Sequence, residues 1–162
     1  MVFWDEVFRA VADSYPDIAH EQQLIDSLSA RFVSSPESLD VVVASNLFGD
    51  ILTDLGAAIS GSMGLAPSAN VNPERRYPSL FQAIHGSAPD IAGKGIANPI
   101  ASIWSAQLLL EFLGEPEAAR LLMSAIEAVL ASGQTRTPDL GGTATTCELG
   151  EAIREQARTM AR

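Results

Sequence analysis

His85-Gly86-Ser87-Ala88-Pro89-Asp90-Ile91-Ala92-Gly93-Lys94-Gly95-Ile96-Ala97-Asn98-Pro99 lies between an apolar run, Leu80 to Ile84, and a segment of helical periodicity. Its glycines, prolines and small residues leave no room for regular structure, yet His, Asp, Lys and Asn are set among them, so it reads as a rigid loop with a polar tip. Asn98 is a favourable helix cap. Pro99 suits the first helical position, because its missing N–H would have had no partner there. The pattern predicts strand, loop and helix N-terminus in succession, a place where backbone N–H groups and the helix dipole can hold an anion. The glycines do not follow the G-x-G-x-x-G spacing of dinucleotide folds, and an ordinary glycine-rich surface turn is the alternative reading.

Working outward, Asp40 to Ser45 contains Val41-Val42-Val43-Ala44, a β-branched run of the kind expected in a parallel strand covered on both faces. After Ser45-Asn46, the residues Phe48, Ile51, Leu52, Leu55 and Ile59 recur at helical spacing, with Asp50 and Asp54 on one face. Two earlier helices are predicted. One covers residues 3–13, and its Phe3-Trp4 pair so near Met1 gives the start the look of a cut. The other runs through Leu24, Ile25, Leu28 and Phe32, contains Asp26, and ends before Ser34-Ser35-Pro36. Gly61 to Pro78 is turn-rich and is expected to hold short extended pieces and an arm. Downstream, a strongly apolar helix from Pro99 to Leu113, expected to be mostly buried, stops at Gly114. Another runs from Pro116 to about Ala131, and Thr145-Thr146-Cys147-Glu148 has the layout of a capping box opening a last helix. Strands alternating with helices predict the α/β class, with a largely parallel sheet flanked by helices.

The chain has 162 residues, 47% hydrophobic and 19% charged, enough for one domain with a sizeable core. A net charge of −10 argues against a nucleic-acid partner or an anionic membrane surface. Cys147 is the single cysteine, so neither an intrachain disulfide nor a cysteine zinc site is expected, and a reducing cytoplasm fits. No apolar run approaches the roughly 20 residues of a membrane span. The amino end lacks a basic-then-apolar signal layout, so a soluble, unexported protein is expected.

Asp50 and Asp54, one helical turn apart, with room for a third carboxylate such as Asp26, make an all-oxygen site suited to Mg²⁺ or Mn²⁺ rather than to zinc. The plainer reading is that Asp50 complements the helix dipole and Asp54 is solvated.

The 85–99 loop resembles, nearly residue for residue, the adenosine-binding loop of the NAD-dependent β-decarboxylating dehydrogenases, the isocitrate and isopropylmalate dehydrogenase family. Asn46-Leu47-Phe48-Gly49-Asp50-Ile51-Leu52-Thr53-Asp54-Leu55 is similar to the metal-binding segment of the same family. Within it, Ala66-Pro67-Ser68-Ala69-Asn70 followed by Asn72-Pro73-Glu74-Arg75-Arg76-Tyr77-Pro78 looks most like the tartrate and D-malate dehydrogenases. The resemblance runs from about Trp4 to Leu149 and matches the carboxyl-terminal half of such an enzyme. It implies an isopropylmalate dehydrogenase-like fold, with residues 1–60 from the dimer-forming, metal-binding domain and 61–162 from the cofactor-binding domain. It implies Mg²⁺ or Mn²⁺ on Asp50, Asp54 and Asp26, the last reaching the site from the neighbouring subunit of a homodimer. It implies NAD held by His85, Gly86, Ser87, Ala88, Pro89, Asp90, Ile91 and Asn98. His85 would pack beside the adenine, Asn98 would hydrogen-bond it, and Asp90 would accept from the ribose hydroxyls and repel a 2′-phosphate, favouring NAD over NADP. Lys94, the one lysine, would lie on the cofactor side, and the catalytic lysine is expected upstream of Met1. His20 is read as incidental, and Cys147, Trp4 and Trp104 as packing residues. The activity implied is oxidation and decarboxylation of a 2-hydroxy dicarboxylic acid, tartrate or D-malate before 3-isopropylmalate. The alternative is a non-catalytic remnant or interaction subunit that keeps the dimer and nucleotide-binding surfaces.

Overall fold

The computed structural model describes residues 2–162, which form two units, 2–43 and 44–162. The first unit holds helices α1 (Val2–Ala12) and α2 (Ile25–Ser34) and a 3-10 turn, Pro36–Ser38. Neither helix contains a fully buried residue, and Trp4, expected to be packed, is exposed. Arg31 organises the end of α2. Its guanidinium donates to the Ser38 hydroxyl at 2.7 Å and the Ser38 carbonyl at 3.0 Å, and pairs with Glu21. That hydrogen bond from Arg31 holds the Glu21 carboxyl below its ordinary pKa. His20 meets the Phe8 ring edge to face, centroids 5.7 Å apart.

The second unit opens with α3 (Asn46–Ile59), then a 3-10 turn Met63–Leu65 and two strands, β1 (Pro67–Asn70) and β2 (Leu80–Ala83). Helices α4 (Ile100–Leu113), α5 (Pro116–Ser132) and α6 (Thr146–Met160) follow, with a further 3-10 turn, Pro138–Leu140. The core lies among the last three helices. Ile100, Ala125, Ile126, Val129, Leu149 and Ile153 are buried together, with Trp104 and Leu122 packed against them. These positions recur at three- and four-residue steps along α5 and α6, so each helix turns one stripe inward. Gly114, in the left-handed conformation, ends α4, and Pro116 starts α5.

The expected parallel sheet is corrected here. The strands of the described residues form an antiparallel pair, Pro67 opposite Ala83 and Asn70 opposite Leu80, with the Ile84 N–H extending the ladder to the Ala66 carbonyl at 3.2 Å. Val41-Val42-Val43, expected as a covered strand, lies without regular structure and exposed. A β-branched run becomes a strand only when neighbouring backbone completes its ladder, and among the described residues none pairs with it. The arm between β1 and β2 is closed by the Asn72 N–H on the Ser79 hydroxyl at 2.9 Å. It is pinned to α4 by Arg75, whose guanidinium lies 4.6 Å over the Phe112 ring. Helix α4 is less enclosed than expected. Its buried residues are Ile100, Ala101, Ser105 and Gln107, while Leu109 and Leu113 are exposed. Cys147, read as a packing residue, is also exposed, two positions before the buried Leu149 of α6.

Candidate cofactor and metal site

Helix α3 starts at Asn46 and carries both candidate metal carboxylates. Asp50 and Asp54 are exposed, one turn apart on one face, and the Asn46 side-chain amide donates to Asp50 Oδ2 at 3.0 Å. That bond orients the Asp50 carboxylate and leaves its other oxygen free for a cation, and an exposed pair of hard oxygen donors suits Mg²⁺ or Mn²⁺. Asp26 stands in the first turn of α2, in the other unit, where its Oδ1 accepts the Ser27 N–H at 2.8 Å. Among the described residues no three His, Cys, Asp or Glu side chains gather as a metal-binding group.

The loop from Ile84 to Pro99 connects β2 to α4 as the sequence predicts, by a chain of tight turns. The Ile91 N–H donates to the Ala88 carbonyl at 3.0 Å and the Lys94 N–H to the Ile91 carbonyl at 3.1 Å. Ala88 is held at φ 41°, a left-handed conformation uncommon for a residue with a Cβ. His85 Nδ1 lies 3.1 Å from the Gly86 carbonyl, and Asp90 is exposed at the turn. The far end of the loop is tied to α6. The Thr146 N–H donates to the Gly95 carbonyl at 2.8 Å and its hydroxyl to the Ala97 carbonyl at 2.6 Å.

Asn98 is the fixed point, 8% exposed. Its Oδ1 accepts the Ile100 N–H at 2.9 Å, so it caps α4 from two residues before the helical start, across Pro99, and its Nδ2 donates to Asp139 Oδ2, also at 2.9 Å. The same Asp139 oxygen accepts the Ser62 hydroxyl at 2.6 Å. Burial works to raise the Asp139 pKa. The hydrogen bonds donated by Ser62 and Asn98 outweigh that and hold the carboxyl below its ordinary value. Gly64 closes the cluster, since a Cβ there would stand 2.8 Å from Asn98 Cβ and 3.0 Å from Asp139 Oδ2. Sequence reasoning missed Asp139, Ser62 and Thr146 as parts of the site. The one local signal for Asp139 is the proline before it, which opens the turn Pro138–Leu140.

A primary amide offers two donors and two acceptor lone pairs. Asn98 uses one of each internally and keeps one of each, the complement of a base edge that presents an acceptor beside a donor.

A glycine-bearing loop thus leads into the capped α4, and paired carboxylates stand on α3. Residues 1–153 match the isocitrate/isopropylmalate dehydrogenase family model, and the chain belongs to that family. It is 56% identical over 158 residues to D-malate dehydrogenase (decarboxylating) of Escherichia coli K12, an alignment covering 94% of this chain and 44% of that one. It is 57% identical over 159 residues to tartrate dehydrogenase/decarboxylase of Pseudomonas putida, covering 94% and 43%. Its fold matches the crystal structure of isocitrate dehydrogenase from Methylococcus capsulatus with a TM-score of 0.88 and 44% identity, over 94% of this chain and 45% of that one. The chain thus spans less than half the length of the relatives it matches.

Proposed function

We propose that this chain supplies the metal carboxylates and the cofactor loop of an NAD-dependent dehydrogenase that oxidises and decarboxylates a 2-hydroxy dicarboxylic acid, tartrate or D-malate. The observation that carries this reading is the pairing of Asp50 and Asp54 on α3 with the Asn98-anchored loop, in a chain 56% identical to a D-malate dehydrogenase. Residues 1–60 then belong to a metal-binding, dimer-forming domain and 61–162 to a cofactor domain. Asp26 serves the neighbouring subunit of a homodimer, in the cytoplasm.

Asp50 and Asp54, with Asp26, would hold the cation, and the 85–91 loop with Asn98 would hold NAD. Bound there, Mg²⁺ or Mn²⁺ would supply Lewis acidity toward the substrate hydroxyl and carboxylate, and NAD would supply the hydride acceptor. Asn46 keeps the Asp50 carboxylate turned one way. The Asp90 carboxylate, exposed at the turn, accepts from ribose hydroxyls and repels a 2′-phosphate. Loop turns and the ties to Thr146 hold the nucleotide end of the site in one geometry, so little ordering is left for the moment of binding.

The test is a chimera in which this chain replaces the matching part of the E. coli D-malate dehydrogenase. It is expected to reduce NAD with D-malate or tartrate in a Mn²⁺-dependent way. Asp50→Asn in that chimera is expected to lower kcat/KM by at least about 100-fold, the scale of losing a charged first ligand. Full activity in the Asp50→Asn chimera would sink the metal assignment. A folded chimera that binds NAD without turnover would point to the non-catalytic, nucleotide-binding reading.

A further inference from the structure

Asn98 could present its amide in either of two orientations, related by a half-turn about χ2, that have the same shape and opposite hydrogen-bonding polarity. The cluster around it leaves only one. With Oδ1 toward the Ile100 N–H and Nδ2 toward Asp139 Oδ2, both contacts are donor to acceptor at 2.9 Å. Turned over, the amide would set an N–H against the Ile100 N–H and a carbonyl oxygen against a carboxylate, two repulsions in a site that is 8% exposed. Asp139 is itself held in place, since the Ser62 hydroxyl donates to it at 2.6 Å while accepting the Gly64 N–H at 3.0 Å. Gly64 packs too closely on Asn98 and Asp139 to admit even a methyl group.

From this we infer that Asp139 is a positioning residue that sets base selectivity: by locking the Asn98 amide, it makes the loop accept an adenine edge and refuse a hypoxanthine edge. Adenine presents a ring nitrogen acceptor beside an exocyclic amino donor. Hypoxanthine presents a ring N–H donor beside an exocyclic oxygen acceptor, the reverse polarity. A locked amide matches only the first, whereas an amide free to turn matches both. Asp139 touches no nucleotide in this scheme and acts only through Asn98. The inference rests on the proposed assignment of the 85–99 loop to NAD.

The experiment measures dissociation constants of the 162-residue chain for NAD and for its 6-oxo analogue, nicotinamide hypoxanthine dinucleotide. Native protein, Asp139→Asn and Asp139→Leu are compared. The native chain is expected to prefer NAD by about tenfold, the scale of one mismatched buried hydrogen-bonding edge. Asp139→Asn can still offer a carbonyl oxygen to Asn98 and is expected to keep the preference. Asp139→Leu removes one of the two orienting contacts and leaves the Ile100 N–H, and it is expected to lower the ratio severalfold. A merely loosened fold would weaken both nucleotides equally and leave the ratio unchanged, and that result overturns the inference. Should Asp139→Leu fail to fold, Asp139→Ala carries the same expectation.

A second readout is independent of nucleotide. In the native chain the Asn98 side-chain amide protons are expected to give two well-dispersed NMR resonances and the Ile100 amide to exchange slowly, and both features are expected to collapse in Asp139→Leu. If the native chain binds neither nucleotide, the reading of the loop as an NAD site fails. These resonances then decide the positioning role by themselves, and their persistence in Asp139→Leu would overturn it.

Discussion

Two glycines separate close approach from conformational freedom. At Gly142 a Cβ would stand 2.0 Å from the Arg136 carbonyl oxygen, which is backbone and cannot step aside without breaking the turn that leads into α6. The same turn is closed by the Gly142 N–H on the Thr137 carbonyl at 3.0 Å and the Ala144 N–H on the Arg136 carbonyl at 2.8 Å. Gly142→Ala is therefore expected to destabilise by about 3 kcal/mol or more, the upper range of overpacking. Gly150, inside α6 with nothing within 4 Å of its added Cβ, is expected to gain about 0.5–1 kcal/mol as alanine. Urea denaturation of the two variants checks both signs, and equal effects would refute the packing argument. Asp139 gives a residue-scale expectation in pH. Its folded pKa lies below the ordinary 3.8, so the stability it contributes is fully present above about that value. It is lost as pH falls through the folded pKa. Acid titration of the melting temperature should therefore show a fall below pH 3.8 that Asp139→Asn lacks. A parallel fall in both proteins would show that other carboxylates control the acid limb.

The helices illustrate what local sequence can carry. Apolar spacing locates α2 and α3, Pro116 marks the start of α5, and the ends of α2 and α4 are marked by Ser34-Ser35-Pro36 and Gly114, close to where the structure puts them. The cap of α6 was legible in Thr145 and Glu148, whose exchange is complete. The Thr145 hydroxyl accepts the Glu148 N–H at 3.2 Å and Glu148 Oε2 accepts the Thr145 N–H at 2.7 Å. Those bonds hold the Glu148 carboxyl below its ordinary pKa. Thr145→Ala is expected to cost about 1 kcal/mol, and helical content near the α6 start, read from amide exchange of Cys147 to Leu149, should fall with it. Unchanged exchange there would mean that the loop contacts of Thr146, rather than the box, hold the helix start. Non-local structure was not legible. Val41-Val42-Val43 has every strand propensity, but strand formation depends on a partner the run itself does not specify. Asp139 stands 41 residues from Asn98 and meets it only because α4 and α5 fold back on each other. The loop and the α3 carboxylates were readable because their chemistry sits within short contiguous stretches, whereas the group that orients Asn98 comes from a turn that looks like any other proline-led loop.

Across the molecule, many large apolar side chains are open to solvent. Phe3 is 78% exposed and Val41 is 82% exposed, with Val43 and Leu24 also open to solvent. Burying a side chain of this size is worth about 1.5–3 kcal/mol. Residues 41–43 also present backbone N–H and C=O groups that no strand completes among the described residues. Apolar surface and an unpaired extended segment together form a template for association with another chain. The charge of −10 opposes this only at long range, and salt screens it. The 162-residue chain, prepared by itself, is therefore expected to self-associate increasingly from low to high ionic strength in light-scattering measurements. Val41→Lys with Val43→Lys is expected to reduce that association, because charge on an open strand discourages pairing. Co-expression with the remaining part of a related D-malate dehydrogenase is expected to suppress it as well, by covering the same surface. A monodisperse monomer that melts cooperatively at all salt concentrations would contradict the argument. It would mean that the exposed run at 41–43 is satisfied by solvent.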